Sequence, residues 1–351
     1  MRDNNIIFHS DSDKEINEWR DSHGNTKLHI ASWEGNLEEV KFLIPKVDIT
    51  IKNNNGNTAL HFAASIPKNS QVIAELAKAG GIDIKSNAGF AALHYAAGTG
   101  QTGNVKALLE FGADFNIRDK DGRTAIHIAA KEGKTEAVEA LLKKAESELV
   151  DNTQGKYSEL VDNTQGKYTA LHLAAEYGHY KVVAKLIEFR ADFNATDNCG
   201  LTALHIAVTK GNIQVVTALM NANARVDIKN NEGDTALHIA VTKGNIQVVT
   251  DLLNAGANVD IKNKKDETAL DIANKIEDES NRNKIIDLLN TGRANSNERI
   301  AVGALLINKP HTISEKRPDK PGKEGPLYKK FKVDRAGQLD GAGGAGTTSL
   351  G

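Results

Sequence analysis

Beside the carboxylates, the side chains here best suited to acid–base work near neutral pH, thiolate attack or metal ligation are eleven histidines and one cysteine, Cys199. Seven of the histidines close a recurring tetrad: Thr26-Lys-Leu-His29, Thr58-Ala-Leu-His61, Ala91-Ala-Leu-His94, Thr124-Ala-Ile-His127, Thr169-Ala-Leu-His172, Thr202-Ala-Leu-His205 and Thr235-Ala-Leu-His238. Metal binding or acid–base catalysis needs imidazoles that converge, and this spacing distributes them one per repeat. The reading that fits is a helix-start histidine that ties turns together by hydrogen bonds. His9, His23, His179 and His311 have no cysteine or carboxylate at ligand spacing, so no metal is expected. Cys199, in Asp197-Asn-Cys-Gly200, lacks a free base, since nearby His205 has its structural role. A lone cysteine excludes an internal disulfide framework and a cysteine-rich zinc site, and fits a reducing compartment.

Two other strings carry chemical associations. Gly98-Thr-Gly100-Gln-Thr-Gly103 matches the dinucleotide fingerprint, but that fingerprint must join a strand to a helix. Here it falls in the turn between two helices, so no cofactor is expected and no catalytic residue is assigned. Near the C-terminus, Lys316-Arg317 and then, eleven residues on, Lys329-Lys330-Phe331-Lys332 have the spacing of a bipartite nuclear-import signal. A plain solvated tail, and contact of Tyr328 to Lys332 with an anionic membrane surface, stay open beside it.

The tetrads also define the frame. A decayed eighth copy is Thr268-Ala-Leu-Asp271, and the steps between successive copies are 32, 33, 33, 45, 33, 33 and 33 residues. Each unit opens with a turn such as Asp119-Lys-Asp-Gly122, where glycine supplies a positive φ. Threonine follows at an N-cap position, then apolar residues at helical spacing and an alanine pair such as Ala129-Ala130. A glycine (Gly35, Gly100, Gly133, Gly178, Gly211, Gly244) ends that helix, and a second helix carries residues such as Val215, Val216 and Leu219. Neither helix can bury its apolar face alone, but stacking repeats does so.

A 33-residue period with T-x-L-H-x-A resembles the ankyrin-repeat family over about residues 21 to 292. The resemblance implies an all-α solenoid of about eight helix-turn-helix repeats with short β-hairpin fingers and a disordered C-terminal tail. There are departures from the family pattern. Ile66-Pro67-Lys68 replaces the glycine turn in the second repeat. In the eighth, Asp266 and Asp271 replace the turn glycine and the histidine, so that repeat reads as a C-terminal cap. Residues 202–217 recur identically at 235–250, and residues 147–157 recur at 158–168. The 11-residue duplication turns a step of 34 into the observed 45. A long finger, or an extended helix and loop, is expected there, with the stack continuing across it. Residues 1–20 are expected to form an N-terminal cap with Ile16 and Trp19 on one helix face, and 293–351 a basic, mostly disordered tail.

Charge and hydropathy bound the function. The net charge is −2, yet residues 293–351 hold 11 Lys/Arg against 6 Asp/Glu, leaving about −7 on the rest. An acidic body lacks the basic face that phosphate contacts need, so no nucleic-acid partner is expected. The N-terminus has no apolar signal core, and the longest apolar run, Ile300 to Ile307, cannot span a bilayer, so no membrane insertion is expected. The expectation is a monomeric cytoplasmic adaptor, nuclear if the tail is read as a signal, that binds another protein on the concave face of the stack and is not an enzyme. Near-identical repeats also admit an effector of an intracellular bacterium acting on a protein in the host cell. Most exposed positions are charged or small. Trp33 and Tyr177 at helix ends, and Phe90 and Leu201 after turn glycines, are large apolar residues that the repeat does not require, and are the expected partner contacts. For Trp33, packing on the N-terminal cap is the alternative.

Overall fold

The computed structural model describes residues 13–149 and 168–307, and the repeats lie in one compact unit, Met1–Gly303. After α1 (Asp13–Glu18) the chain forms helix pairs: α2 (Lys27–Glu34) with α3 (Leu37–Leu43), α4 (Ala59–Ser65) with α5 (Ser70–Ala79), α6 (Ala92–Thr99) with α7 (Thr102–Glu110), and α8 (Ala125–Lys131) with α9 (Thr135–Leu149). The second half holds α10 (Ala170–Glu176) with α11 (Tyr180–Glu188), α12 (Ala203–Lys210) with α13 (Ile213–Asn221), α14 (Ala236–Thr242) with α15 (Ile246–Asn254), and α16 (Ala269–Ala273) with α17 (Glu279–Ile307).

The tetrad explains where each first helix begins. At Thr169 the hydroxyl accepts the His172 backbone N–H, and the Thr169 backbone N–H donates to His172 Nδ1 at 3.1 Å. A ring nitrogen that accepts a backbone N–H carries no proton, so the neutral imidazole holds its proton on Nε2. That nitrogen donates across the stack to the Leu201 carbonyl at 2.9 Å. The same bond joins His29 to Asn57, His61 to Phe90, His94 to Arg123, His205 to Asp234 and His238 to Glu267. In the eighth repeat Asp271 makes the near bond, accepting from the Thr268 N–H at 2.8 Å. No further repeat follows, so a donor reaching outward has no task there.

Packing closes each first helix on the next. The alanine pairs, such as Ala96-Ala97 and Ala174-Ala175, are fully buried, and α2, α4, α6, α8, α10, α12, α14 and α16 form one continuous layer. Val105, Leu108, Val182, Leu186, Val215 and Leu219 fill the space between that layer and the second helices. Each such buried side chain contributes about 1.5–3 kcal/mol relative to exposure.

Several expectations meet the structure here. The helix-ending glycines all take positive φ, as do the turn glycines, and Asp266 adopts φ 61 where glycine is missing. In the second repeat Lys68 takes the left-handed conformation, and buried Asn104 fills the altered corner by donating to the carbonyls of Ala64 and Ile66. Among the described residues the fingers are hydrogen-bonded turns without strands, which corrects the hairpin expectation. Neighbouring fingers are joined by isolated backbone bonds, such as Asn87 N–H to the Asn55 carbonyl or Asn231 N–H to the Cys199 carbonyl, and by side-chain bonds such as Asn87 Nδ2 to the Asn54 carbonyl and Asn231 Nδ2 to the Asn198 carbonyl. Ile16 is buried, but Trp19 lies past the end of α1 and is exposed, because α1 is too short to carry both on its inner face.

α8 packs on α10 and α9 on α11, so the stack continues across the duplication, and α9 is extended to 15 residues. The rest of that segment, 150–167, lies outside the described residues. The expected boundary at 292 falls inside α17, which runs to Ile307; the tail beyond it, with Lys316, Arg317, Lys329, Lys330 and Lys332, also lies outside them.

Burial lowers the pKa of His29, His61, His94, His127, His172 and His205, to about 4 at His61 and about 3 at His127. Below the ordinary value of 6.5 the unfolded rings take protons that the folded rings refuse. Stability therefore falls as pH drops below about 6.5, by up to about 1.4 kcal/mol per pH unit for each such histidine. Thermal unfolding followed by circular dichroism is expected to show a clearly lower midpoint at pH 5 than at pH 7.5. A second prediction concerns single sites. His172→Leu, which removes a made inter-repeat bond and strands a carbonyl, is expected to cost about 1–3 kcal/mol more in urea unfolding than His127→Leu, whose Nε2 has no partner.

Candidate functional site

The inter-repeat histidine bond uses only a main-chain carbonyl, and the residue that supplies it stands directly before each helix cap. That row reads Asn57, Phe90, Arg123, Tyr168, Leu201, Asp234 and Glu267. At every position of the row but Tyr168 a histidine uses the main-chain carbonyl, which leaves the residue type at each position free of that requirement. The middle of the row is aromatic, basic or aliphatic, and its ends are polar or acidic.

Phe90 is half-buried, stacked on His94 with ring centroids 5.5 Å apart and edge-on to Tyr95 at 5.6 Å. The Tyr95 hydroxyl donates to Asn57 Oδ1 at 3.0 Å, so two neighbouring repeats share this aromatic group. Arg123 is held by Asp119 at 2.8 Å and by Asp121 at 2.5 Å. Leu201 is half-buried.

Tyr168, which the sequence reading passed over, belongs to the same row. Its ring lies 5.2 Å from that of His172, and its hydroxyl donates to Glu176 Oε2 at 2.9 Å. Burial and the Glu176 carboxylate together raise its pKa. The signal for finding it was the identical Gly-Lys-Tyr in both copies of the duplication, one residue longer than the usual Gly-x-Thr spacing. Glu176 also pairs with Lys210 at 2.9 Å. Burial opposes its ionisation, but the hydrogen bonds from Lys210 and Tyr168 outweigh that and lower its pKa.

At the ends of the first helices, Trp33 is 55% exposed and Tyr177 50% exposed. Most of the cap segment that was the alternative packing partner of Trp33, residues 1–12, lies outside the described residues. Tyr177 stacks on His179 at 6.4 Å and carries Lys131 over its face at 5.7 Å. His179 proves to be structural: its ring bonds the Lys131 carbonyl at 2.9 Å, the task Asn212 performs on Ala175 one repeat later. No ring contact or hydrogen bond joins any two of Trp33, Phe90, Tyr177 and Leu201; they are spread over the first, third, fifth and sixth repeats.

Among the described residues no group of three or more His, Cys, Asp or Glu is placed to hold a metal ion, and no helix is long and apolar enough to cross a membrane. Cys199 is an exposed free thiol.

The family model of ankyrin repeats in three copies matches residues 6–88, 28–119, 93–197 and 171–263, and the chain belongs to the ankyrin-repeat family. Arrays of this kind mediate protein–protein interaction and are typically modules without enzymatic activity. Among solved structures the chain is similar to the crystal structure of the ankyrin repeat domain of Bcl-3, described as a unique member of the IkappaB protein family. The two share 27% identity over 76% of this chain and 99% of that one, with a TM-score of 0.56. None of the curated proteins matches the chain.

The Tyr168–Glu176–Lys210 group gives a direct test of this geometry. Tyr168→Phe removes one of the two hydrogen bonds that hold the Glu176 carboxylate low, and is expected to raise its pKa in a carbon-detected NMR titration. An unchanged titration would contradict the contact.

Proposed function

We propose that the chain is an adaptor that binds a partner protein along the face formed by the first helices and fingers, the face that is concave in ankyrin arrays. The observation that carries this reading is the row before the helix caps. Phe90 and Leu201 present aromatic and aliphatic surface at positions where the histidine bond uses only a carbonyl oxygen, and the Tyr168 ring stands between them in the row. Exposed Trp33 and Tyr177 extend that surface toward the helix ends. Aromatic side chains at the centre of an interface contribute the largest share of binding energy, and tyrosine and tryptophan do so with few torsions to freeze.

The four anchors are not equivalent in this reading. Trp33 and Tyr177 are open to a partner, whereas Phe90 already rests on His94 and Tyr95 and would gain less on contact. The flanking charges, Lys131, Glu132, Lys210 and Lys243, surround the aromatic positions as a polar rim that sets encounter and specificity more than affinity.

The experiment compares the tagged full-length chain with a variant carrying Trp33→Ala, Phe90→Ala, Tyr177→Ala and Leu201→Ala in capture from cell lysate, with circular dichroism as the folding control. Loss of a captured protein by the folded variant is the expected result. Single substitutions at Trp33 and Tyr177 are then expected to cost about 1–3 kcal/mol of binding each. Equal capture by both forms would place the binding surface elsewhere.

A further inference from the structure

The histidine bond between repeats is missing at one seam. His127 is fully buried, and its Nδ1 accepts from the Thr124 hydroxyl at 2.9 Å, as in the other repeats that pair a cap threonine with the histidine. Among the described residues its Nε2 meets no acceptor. In every other repeat that carries the tetrad histidine, the acceptor is the residue just before the next helix cap, 28 or 29 positions along the chain. From His127 the corresponding residue is Tyr168, 41 positions along, and Tyr168 turns its hydroxyl to Glu176.

The sequence shows why the register fails. Gly155 stands 33 residues after Gly122, in step with the repeat. The chain then carries Lys156, one extra residue (Tyr157) and the second 11-residue copy before Thr169. The seam keeps its apolar contacts, α8 on α10 and α9 on α11, together with the bond from His179 to Lys131 and the ion pair of Lys185 with Glu139 at 3.6 Å. Among the described residues it lacks the histidine bond that joins cap to finger in the other repeats, and it retains a buried donor without a partner.

We propose that the seam between the fourth and fifth repeats is a built-in hinge, at which the array divides into two cooperative blocks, residues 13–149 and residues 168 onward. In a stack whose stability is a sum of repeat and interface contributions, one weakened interface is enough to uncouple the two sides. An orphaned buried donor plus a lost bond makes opening here roughly 10- to 100-fold more frequent than at a closed seam. The hinge cuts the row before the helix caps between Arg123 and Tyr168. Opening therefore changes the spacing of Phe90 from Leu201 without disturbing either half, and it operates whether or not that row is the partner site.

The chain carries its own probe. Its only two tryptophans, Trp19 and Trp33, both lie in the first block, whereas far-ultraviolet circular dichroism reports both blocks. Urea unfolding of the full-length chain followed by the two signals is expected to give separate curves. Deletion of 157–168 restores Gly-x-Thr at a 33-residue step and is expected to merge them. Deletion of 158–168 removes one whole copy but keeps the extra residue, and is expected to leave them apart. Coincident curves for the full-length chain would overturn the hinge. Curves that stay separate in both deletions would trace the effect to fraying around the tryptophans and overturn it equally. Merging in both deletions would overturn the assignment to the extra residue and the His127 bond.

Discussion

The imidazole at each helix start is the interaction on which the array depends. One ring accepts the backbone N–H of its own N-cap and donates to a carbonyl of the next repeat, so the start of a helix and the position of the following finger are set by one side chain. Histidine is suited to this because its two nitrogens are an acceptor and a donor held rigidly on opposite sides of a ring. Asp271 shows the converse: a carboxylate performs the acceptor half and stops there, which suits a repeat with no successor.

Around that ring the fold is assembled from local parts. Each helix pair touches only its neighbours, so a nearly unchanged repeat such as 202–217 and 235–250 can be added without any distant contact having to change. The same locality explains how the chain absorbs an 11-residue duplication. The helices on either side still meet through alanine and leucine faces, and among the described residues the polar bond missing at this seam is the one from His127. Apolar packing tolerates displacement of a finger because it is non-directional, whereas a hydrogen bond to a named carbonyl does not.

The division of labour between backbone and side chain also shapes function. The histidines read the carbonyls of Phe90, Arg123 and Leu201 without regard to residue type, so these positions can vary while the inter-repeat bond persists. A fold of this kind identifies a class of interaction and no individual partner.

The repeat count, the helix starts, the helix-ending glycines and the histidine role were legible in the sequence, because each follows from a short-range rule repeated eight times. Lys68, Asn104 and His179 were not, because their roles depend on carbonyls contributed by other repeats: Asn104 plugs a corner some forty residues away in sequence, and His179 bonds Lys131 across the seam. Of the proposed contacts, Trp33, Phe90, Tyr177 and Leu201 could be named from the sequence as large apolar residues the repeat does not require, yet Tyr168 was hidden by one extra residue in the duplication. The sequence by itself determined that this chain is a stack of ankyrin repeats, since period, caps and turns are local and recur. Only the tertiary structure decided which carbonyl each imidazole reaches and that His127 reaches none, because a bond between repeats depends on register in space as well as on the residues that could make it.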